Sequence, residues 1–302
     1  MCAMIRLEAG DARVDLAPGT GGAIVSFTLR GEPVLRPTPD DPRRACDVRR
    51  HACNTLVPYS NRIANARLVY GGRTHELARN FGDAPHSIHG IGWQRAWSVA
   101  SRSTDTALLT LDHDGSDTTA WPWPFRATQA FALAAHDAGA LLTVRLAVEN
   151  RGDEPFPFGL GWHPFFPKPP DTTLAFDATQ VWMNDATLLP VAREAVPDAW
   201  RFATPRRVDE LALDHVFAPV RTAATLGWPS LGLEATVDAD RALDRRIVYV
   251  PPGRDFLAFE PASHMTDAFN RAARGETGTG TRILPPGSSF SCTMRIDASA
   301  MR

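Results

Sequence analysis

Short apolar runs separated by turn residues recur along the whole chain, about every ten residues. The runs are rich in Val, Leu, Phe and Thr, and 25 prolines and 22 glycines fall between them. Because this spacing suits short strands and tight turns, it predicts an all-β sandwich or barrel. Helix signals are sparse, and the segment MTDAFNRAARG predicts one short helix that ends at Gly275.

The segment NTLVPYSNRIANARLVYGGRTHEL contains both a turn signal and an unusual polar group. Gly71-Gly72 separates two strand-like runs, and glycine supplies the positive φ angles that a two-residue hairpin turn needs. Just before this hairpin, Tyr59, Asn61 and Arg62 lie close together in the sequence. The amide and the guanidinium are therefore candidates for a binding site at one end of a β-structure.

Composition and charge limit the possible organisation and partners. The chain has 302 residues, 44% of them hydrophobic, and shows no internal repeat and no low-complexity linker. We therefore predict one domain that spans residues 1–302. The formal net charge is -2, and no segment is dense in Lys or Arg, which argues against a nucleic-acid partner. No pattern in the sequence indicates the oligomeric state.

The termini and the cysteines bear on the location of the protein. The first residues carry early charges and lack the apolar core of a signal peptide. No apolar run is long enough to span a bilayer, since Arg145 interrupts the best one. The four cysteines show no CxxC spacing, which favours a reducing compartment; they are Cys2, Cys46, Cys53 and Cys292. We predict a soluble cytoplasmic protein without a membrane partner.

Five segments place polar side chains among apolar or aromatic residues: Asn61-Arg62, HSIHGIGWQRAW with His86 and His89, GLGWHPFF with His163, LALDHVF with Asp214 and His215, and FLAFEPASH with Glu260 and His264. Taken alone, Arg62 fits an ion-paired surface residue, and His89 fits a hydrogen-bonded core histidine. Asp214 fits a turn cap as well as a functional group. Glu260 follows an apolar run, and a buried carboxylate is costly unless it is paired or useful. His163 precedes a proline and lies among aromatics, so its imidazole must find partners or stay neutral.

Other kinds of catalytic site are less well supported by the sequence. His86-x-x-His89, together with Asp214 and His215, could supply metal ligands, but HExxH and paired-cysteine spacings are missing. No GxSxG motif occurs, and no cysteine lies in a nucleophile motif. The set that remains is a histidine acid, a glutamate base and several hydrogen-bonding groups among aromatic rings. This set suits a sugar, which presents apolar C–H faces and a rim of hydroxyls.

In their order along the chain, these segments resemble the motifs of the aldose 1-epimerase (galactose mutarotase) family. NRIANARLVYGG, HSIHGIGWQRAW, GLGWHPFF, LALDHVF and FEPASH are each similar to one motif, and the HPFF and EPASH forms resemble a bacterial subgroup. The resemblance implies a large antiparallel β-sandwich with few short helices and an open cleft for a monosaccharide. It also implies site roles without metal or cofactor: His163 as general acid, Glu260 as general base, and Asn61, Arg62, His89 and Asp214 as sugar ligands.

The activity that the resemblance implies is interconversion of the α and β anomers of an aldose by ring opening and reclosure. Many relatives carry a glutamine on a strand before the catalytic glutamate; IVYVPPGRDFLAFEP contains none, which leaves the preferred sugar open. A protonated His163 and an ionised Glu260 across one sugar ring stabilise each other. We therefore expect a raised pKa for the histidine and a lowered pKa for the glutamate, unless burial dominates.

Three other functions stay open at this stage. A glycosidase needs two carboxylates, for which Asp214 could join Glu260. A hexose-6-phosphate 1-epimerase needs a cationic phosphate site beyond Arg62, which Arg206-Arg207 or Arg245-Arg246 could supply by converging in the fold. A sugar-binding protein without catalysis on the same scaffold would not need an acid–base pair.

Overall fold

The structure is a computed structural model that describes residues 4–38 and 47–301, so Cys2 and Cys46 lie outside the described residues. Almost all of its regular structure is β. The strands, in chain order, are β1 (Ile5–Ala9), β2 (Ala12–Ala17), β3 (Ala23–Leu29), β4 (Glu32–Pro33), β5 (Cys53–Leu56), β6 (Arg62–Ile63), β7 (Arg67–Tyr70), β8 (Arg73–Glu76), β9 (Ser87–Ile88), β10 (Ser98–Arg102), β11 (Thr106–His113), β12 (Phe125–His136), β13 (Gly139–Asn150), β14 (Phe156–Phe158), β15 (Gly161–Pro167), β16 (Thr173–Ala175), β17 (Gln180–Asn184), β18 (Pro190–Ala195), β19 (Arg206–Arg207), β20 (Leu213–Ala218), β21 (Ala224–Trp228), β22 (Leu233–Ala239), β23 (Arg245–Val250), β24 (Phe256–Ala262), β25 (Arg282–Leu284) and β26 (Ser289–Ala300).

Among residues 4–38 and 47–301, helical structure is limited to short pieces, as the sequence predicted. The α-helix, α1 (Ala268–Ala273), lies inside the predicted segment and ends just before Gly275, whose φ of 87° continues the chain in a left-handed conformation. Four 3₁₀ turns cover Val48–Arg50, Ala64–Ala66, Asp198–Trp200 and Pro229–Leu231. No helix within the described residues is both long and apolar enough to cross a membrane.

Two large antiparallel sheets form the frame of the described chain. The first has eleven strands in the order β1-β2-β3-β5-β15-β24-β23-β20-β17-β18, with β4 beside β3. The second has nine strands in the order β10-β11-β12-β13-β26-β22-β21-β16-β19. Three small two-stranded sheets, β6 with β9, β7 with β8, and β14 with β25, complete the set. The prediction of an all-β antiparallel sandwich is confirmed.

The β7–β8 hairpin forms as its sequence predicted. Tyr70 pairs with Arg73, so that Gly71 and Gly72 form the two-residue turn between them. Their φ angles are 58° and 74°, which suits glycine at both positions of a turn that matches the twist of the strands. The hairpin follows the Asn61-Arg62 segment directly and packs near α1.

A buried polar residue, Gln129 on β12, connects the two sheets. Its side-chain oxygen accepts hydrogen bonds from Thr55 Oγ1 at 2.5 Å and from Trp162 Nε1 at 3.1 Å. Its amide nitrogen donates to the Gly22 carbonyl at 2.8 Å, so both polar atoms of the buried amide have partners. Since Thr55 and Trp162 point into the sandwich, their neighbours Asn54 and His163 point to the opposite face of the first sheet. That outer face carries the candidate site.

Candidate active site

Two adjacent strands of the first sheet, β15 and β24, bring the two catalytic candidates together. On β15, the pairs Gly161 with Ala262 and Phe165 with Ala258 place His163 opposite Glu260 on β24. His163 Nε2 lies 3.1 Å from Glu260 Oε1. The residues are 97 positions apart in the chain, and only the strand register makes them neighbours.

The next strands extend this row across the same face. Ile247 on β23 pairs with Glu260, and Tyr249 pairs with Asp214 on β20. Because side chains on one face recur every second residue, Asp214, Tyr249 and Phe165 form a parallel row beside the first. The predicted aspartate is thus brought to the site by two strand pairings.

Burial sets the protonation of the His163–Glu260 pair. The Glu260 side chain is 3% exposed, and burial, followed by the charge of Asp214, raises its pKa well above the usual range. Burial, followed by the cation of Arg36, lowers the pKa of His163 to about 3. Desolvation thus outweighs the mutual stabilisation of the two charges, and each pKa shifts opposite to the direction expected if burial did not dominate. Both directions favour a neutral pair, with the proton on Glu260 and His163 uncharged.

The Asn61-Arg62 segment lies over this face and is held by the strand pair β6 and β9. Arg62 donates to Asp214 at 3.2 Å and to the side-chain oxygen of Asn61 at 3.1 Å. The Arg62–Asp214 pair is only about one-fifth exposed, so it fixes the guanidinium at the edge of the cavity. The ion pair also leaves further N–H groups of the guanidinium for other acceptors.

His89 is fixed by the same segment. The Asn61 amide donates to His89 Nδ1 at 2.9 Å, and the His89 amide donates back to the Asn61 carbonyl at 2.9 Å. Burial, followed by the neighbouring His163 and Arg62, lowers the pKa of His89 well below its usual range. A neutral imidazole whose Nδ1 accepts carries its proton on Nε2, which makes His89 a hydrogen-bond donor. Its ring lies 5.4 Å from the ring of His163.

All six sequence-predicted site residues line one cavity of about 400 Å³; they are Asn61, Arg62, His89, His163, Asp214 and Glu260. Its walls are largely apolar and include Phe81, Ile88, Trp93, Phe165, Leu188 and Phe256. Such a mixture of apolar walls and a few convergent polar groups is typical of a small-molecule site. A second recess of about 290 Å³, beside Trp200 and Phe202, contains none of the six.

Several buried atoms of the cavity lack a partner within the described part of the chain. Glu260 Oε2, His163 Nδ1 and Asn54 Oδ1 are buried and make no hydrogen bond there. Buried polar atoms are usually satisfied, so these three are exceptions that lie beneath the surface of the cavity. The Nε2 proton of His89 and the guanidinium of Arg62 supply hydrogen-bond donors at the cavity itself.

Four residues of the cavity that sequence reasoning missed lie close to the predicted ones or add a charge or a hydroxyl. Asn54, 5% exposed, pairs with His163 across β5 and β15. Tyr249 and Ile247 occupy the strand before the glutamate, where the sequence has no glutamine. Arg36 stacks on Phe165, with its guanidinium carbon 3.9 Å from the ring centre. No motif marks any of them, because three lie in plain strands and Arg36 lies in a loop.

The other two histidines that the sequence suggested as metal ligands are already engaged in hydrogen bonds. His86 uses both ring nitrogens, since Nδ1 accepts from the Asn65 amide and Nε2 donates to the Thr187 carbonyl. His215 Nδ1 accepts from the Asp214 amide. No group of three His, Cys, Asp or Glu side chains able to hold a metal occurs among residues 4–38 and 47–301.

The two arginine pairs also lie away from the cavity. Arg245 pairs with Asp244, and Arg246 donates to the Leu243 carbonyl. Arg207 pairs with Asp209 at 2.9 Å, and its neighbour Arg206 donates to a backbone carbonyl. The expectation that either pair could converge on a phosphate in this site is wrong. Among residues 4–38 and 47–301, the arginines that line the cavity beside Arg62 are Arg36 and Arg49.

Known proteins resemble this chain over nearly its whole length. The family model for aldose 1-epimerase matches residues 3–297. The uncharacterized protein YphB of Escherichia coli K12 is 30% identical over 303 aligned positions, which cover 96% of this chain and 97% of YphB. A candidate aldose 1-epimerase from Escherichia coli K12 superposes with a TM-score of 0.88 at 28% identity over 99% of each chain.

A more distant structure shows the same fold. The galactose 1-epimerase of Lactobacillus acidophilus superposes with a TM-score of 0.79 at 20% identity, covering 99% of this chain and 95% of its own. The fold predicted from the motifs is therefore confirmed, together with the resemblance on which that prediction rested. With the family model matched from one end of the chain to the other, the protein belongs to the aldose 1-epimerase family.

Proposed function

We propose that the protein is an aldose 1-epimerase that interconverts the α and β anomers of a free aldose by acid–base ring opening. The observation that carries the proposal is the 3.1 Å contact between His163 and Glu260 at a cavity whose remaining polar groups suit hydroxyls. Mutarotation needs one proton removed from the C1 hydroxyl and one delivered to the ring oxygen. A buried pair that shares one proton meets both needs.

The reactive form of the pair differs from its resting form by one proton shift. Burial raises the pKa of Glu260 and lowers that of His163, which favours the proton on Glu260 in the resting form. Sugar hydroxyls that donate to the carboxylate favour its ionised form. The proton then moves to His163, which yields the base and the acid that ring opening needs.

The chemical steps balance without any further reagent. Glu260 takes the proton of the C1 hydroxyl while His163 gives its proton to the ring oxygen, and the bond between C1 and the ring oxygen breaks. The product is an open-chain aldehyde. Rotation about the C1–C2 bond exposes the other face of the carbonyl, and reclosure with both proton transfers reversed gives the other anomer. No redox change and no group transfer occur, so the residues of the cavity suffice.

The other polar residues bind and orient the sugar in this proposal. Arg62 and the Nε2 proton of His89 donate to sugar oxygens, while Asp214 and Asn61 hold Arg62 and accept from hydroxyls. Asn54 lines the same cavity beside His163. Trp93 and Phe81 offer ring faces for the apolar side of the sugar.

The test is exchange spectroscopy by NMR, or polarimetry, on a panel of free aldoses. We expect the protein to accelerate anomer exchange of at least one free aldose far above the spontaneous rate. Saturable sugar binding without any acceleration would contradict the proposal and favour a sugar-binding protein without catalysis. Sustained release of the aglycone from aryl glycosides would favour a glycosidase instead.

A hexose-6-phosphate 1-epimerase is a second candidate because Arg36 and Arg49 line the cavity. Both arginines are already engaged, since Arg36 donates to the His51 carbonyl at 2.8 Å and Arg49 pairs with Asp47 at 3.1 Å. Each nevertheless keeps N–H groups that could meet a phosphate. Phosphorylated aldoses in the same panel decide between the two candidates by their kcat/KM values.

Arg62→Ala is expected to weaken sugar binding more than it disturbs the fold. Loss of a charge-assisted hydrogen bond typically costs about 1.5–3 kcal/mol, which raises the KM about 10- to 100-fold. The partly buried partner Asp214 loses its cation, so a modest drop in the melting temperature accompanies the change. Arg73→Ala, at an exposed position of the β7–β8 hairpin, is the matched control. An unchanged KM together with a large loss of stability would make Arg62 a structural residue.

A further inference from the structure

The backbone amides that precede and follow Arg62 are bound almost entirely by side chains. Five amides between residues 60 and 65 donate to side-chain acceptors: Ser60 to His264 Nε2 at 3.1 Å, Asn61 to His89 Nδ1 at 2.9 Å, Arg62 to Asn61 Oδ1 at 2.8 Å, Ala64 to Asp267 Oδ1 at 3.0 Å and Asn65 to His86 Nδ1 at 3.0 Å. Three of the five acceptors are histidine nitrogens, supplied by distant parts of the chain. Residues 60–65 are called the arginine turn below.

The arginine turn and the residue after it have a backbone that needs such support. Asn61, Asn65 and Ala66 have φ angles of 59°, 53° and 56°. A left-handed conformation is unfavourable for a residue with a side chain, although asparagine tolerates it better than alanine does. Strained backbone of this kind persists only where the surroundings impose it. The five side-chain acceptors are the groups that impose it here.

His86 and His264 can each serve in this way in one protonation state only. His264 Nδ1 donates to the Met265 carbonyl at 2.7 Å, which leaves Nε2 unprotonated as the acceptor for Ser60. His86 has the opposite arrangement, because Nε2 faces the Thr187 carbonyl at 3.1 Å and Nδ1 accepts from Asn65. Both rings are at least 97% buried. A protonated ring has no acceptor, so both histidines must be neutral to hold the turn.

His86 has a second connection that reaches the cavity. Thr187, to which it donates, lies in the turn between β17 and β18, where Asp185 binds the Thr187 and Leu189 amides. Leu188 at the tip has a φ of 64° and lines the cavity. One imidazole therefore joins the arginine turn on one wall of the cavity to the Leu188 loop on another.

We propose that His86 and His264 are positioning residues, which hold the arginine turn through one ring nitrogen each so that the Arg62 guanidinium faces the sugar. Neither ring lines the cavity, and neither touches the reacting atoms in the mechanism above. This proposal rests on the proposed function in one respect, which is that the ligand bound by Arg62 is a sugar. His86 and His264, both singled out in the sequence, would thus act on the site through the backbone amides of the arginine turn.

The test uses the different lengths of the asparagine and glutamine side chains, which place the amide oxygen at different distances from the backbone. The Oδ1 atom of asparagine can replace His Nδ1, and the Oε1 atom of glutamine can replace His Nε2. His86→Asn and His264→Gln therefore keep the acceptor, whereas His86→Gln and His264→Asn put the same amide in the wrong place. Each pair of variants differs by one methylene and by nothing in polarity. His113→Gln, a histidine bonded to the Trp121 carbonyl outside the site, is the control.

We expect the two misplaced variants to raise the KM for the accepted aldose about tenfold, with a smaller change in kcat. His86→Asn and His264→Gln should keep a KM close to that of the parent. Repeated in the Arg62→Ala background, the misplaced variants should raise the KM no further, because the group that they position is gone. Equal KM values for the two members of a pair, or the same rise without Arg62, would overturn the proposal.

Hydrogen exchange of the backbone amides separates this proposal from the proposed function. In the parent, the Ser60 and Asn65 amides should be protected; they should exchange faster in His264→Asn and His86→Gln, respectively, and recover in His264→Gln and His86→Asn. This measurement needs no sugar. If no aldose is turned over, the proposed function fails, while the exchange pattern still supports or refutes the role of the two histidines. Unprotected amides in the parent would refute it.

Discussion

Glu260→Gln is expected to lower the rate of anomer interconversion by about 10²–10⁴-fold, the usual contribution of positioned acid–base catalysis. Glutamine keeps the shape of the side chain and can still donate to His163, but it cannot take the proton of the C1 hydroxyl. Sugar binding should survive, since Arg62 and His89 are untouched. Measurement of kcat by NMR exchange, with affinity measured by calorimetry, checks both parts. A folded variant with the turnover of the parent would refute the role of Glu260 as the base.

The same substitution should change how stability depends on pH. Burial raises the pKa of Glu260 above its usual value of 4.5, so the folded protein holds this proton over a pH range in which the unfolded chain has lost it. The parent therefore loses stability as pH rises from that value through the folded-state pKa. Glutamine carries no charge and lacks this loss.

Melting temperatures measured across pH test this expectation. Glu260→Gln should be at least as stable as the parent at neutral and alkaline pH, and the difference should shrink towards acid pH. The opposite trend, a variant that is relatively least stable at alkaline pH, would show that Glu260 is ionised and stabilising in the empty site. The resting state assigned to the pair would then be wrong.

His163→Gln is expected to lower kcat by a similar factor of about 10²–10⁴. Its amide can replace Nε2 as a hydrogen-bond partner of Glu260 and of the ring oxygen, but it cannot give up a proton to that oxygen. The alkaline fall in activity should disappear, because that fall reports loss of the proton that the pair shares. The rate that remains should rise with pH as Glu260 ionises.

The pH–rate profile of the parent supplies the comparison. Activity requires one proton on the pair, so it falls where a second proton is gained and where the only proton is lost. Burial lowers the pKa of His163 to about 3 and raises that of Glu260, which makes the plateau between the two limbs broad. The limbs belong to the coupled pair and not to either residue alone.

His89→Asn is the control for the identity of the acid. Asparagine keeps an acceptor for the Asn61 amide in place of His89 Nδ1, while the donor on Nε2 is lost. We expect a raised KM and an unchanged bell-shaped profile. Loss of the alkaline limb in His89→Asn, with that limb retained in His163→Gln, would identify His89 as the acid.

Local rules account for the parts of the fold that the sequence predicted. Gly71 and Gly72 have the positive φ angles that their turn required, and α1 ends beside Gly275. Alternating burial along strands such as β12, from Phe125 to Leu133, reflects the period of two that the apolar runs showed. These features depend on neighbours in the chain, and a sequence displays its neighbours directly.

The candidate site was predictable only in part. The motifs supplied six residues that the structure brings to one cavity, and their roles stay predictions. Asn54, Tyr249 and Arg36 carried no signal, because their place in the cavity depends on strand pairing and on loop packing. The sequence also could not decide whether His86 binds a metal or whether an arginine pair binds a phosphate. The hydrogen-bond partners of these side chains, which only the structure shows, were needed for both questions.

The sequence by itself determined the all-β class, the turns and the candidates for the acid–base pair, because residue types and short spacings carry that information. Only the tertiary structure showed in which direction the pKa of each member of that pair shifts and which groups the other histidines bind. The protonation of a side chain depends on how far it is removed from water, and a side chain is removed from water only when the sheets and loops fold around it. The same holds for His86 and His264, whose neutral rings became acceptors for Asn65 and Ser60 only when distant segments met.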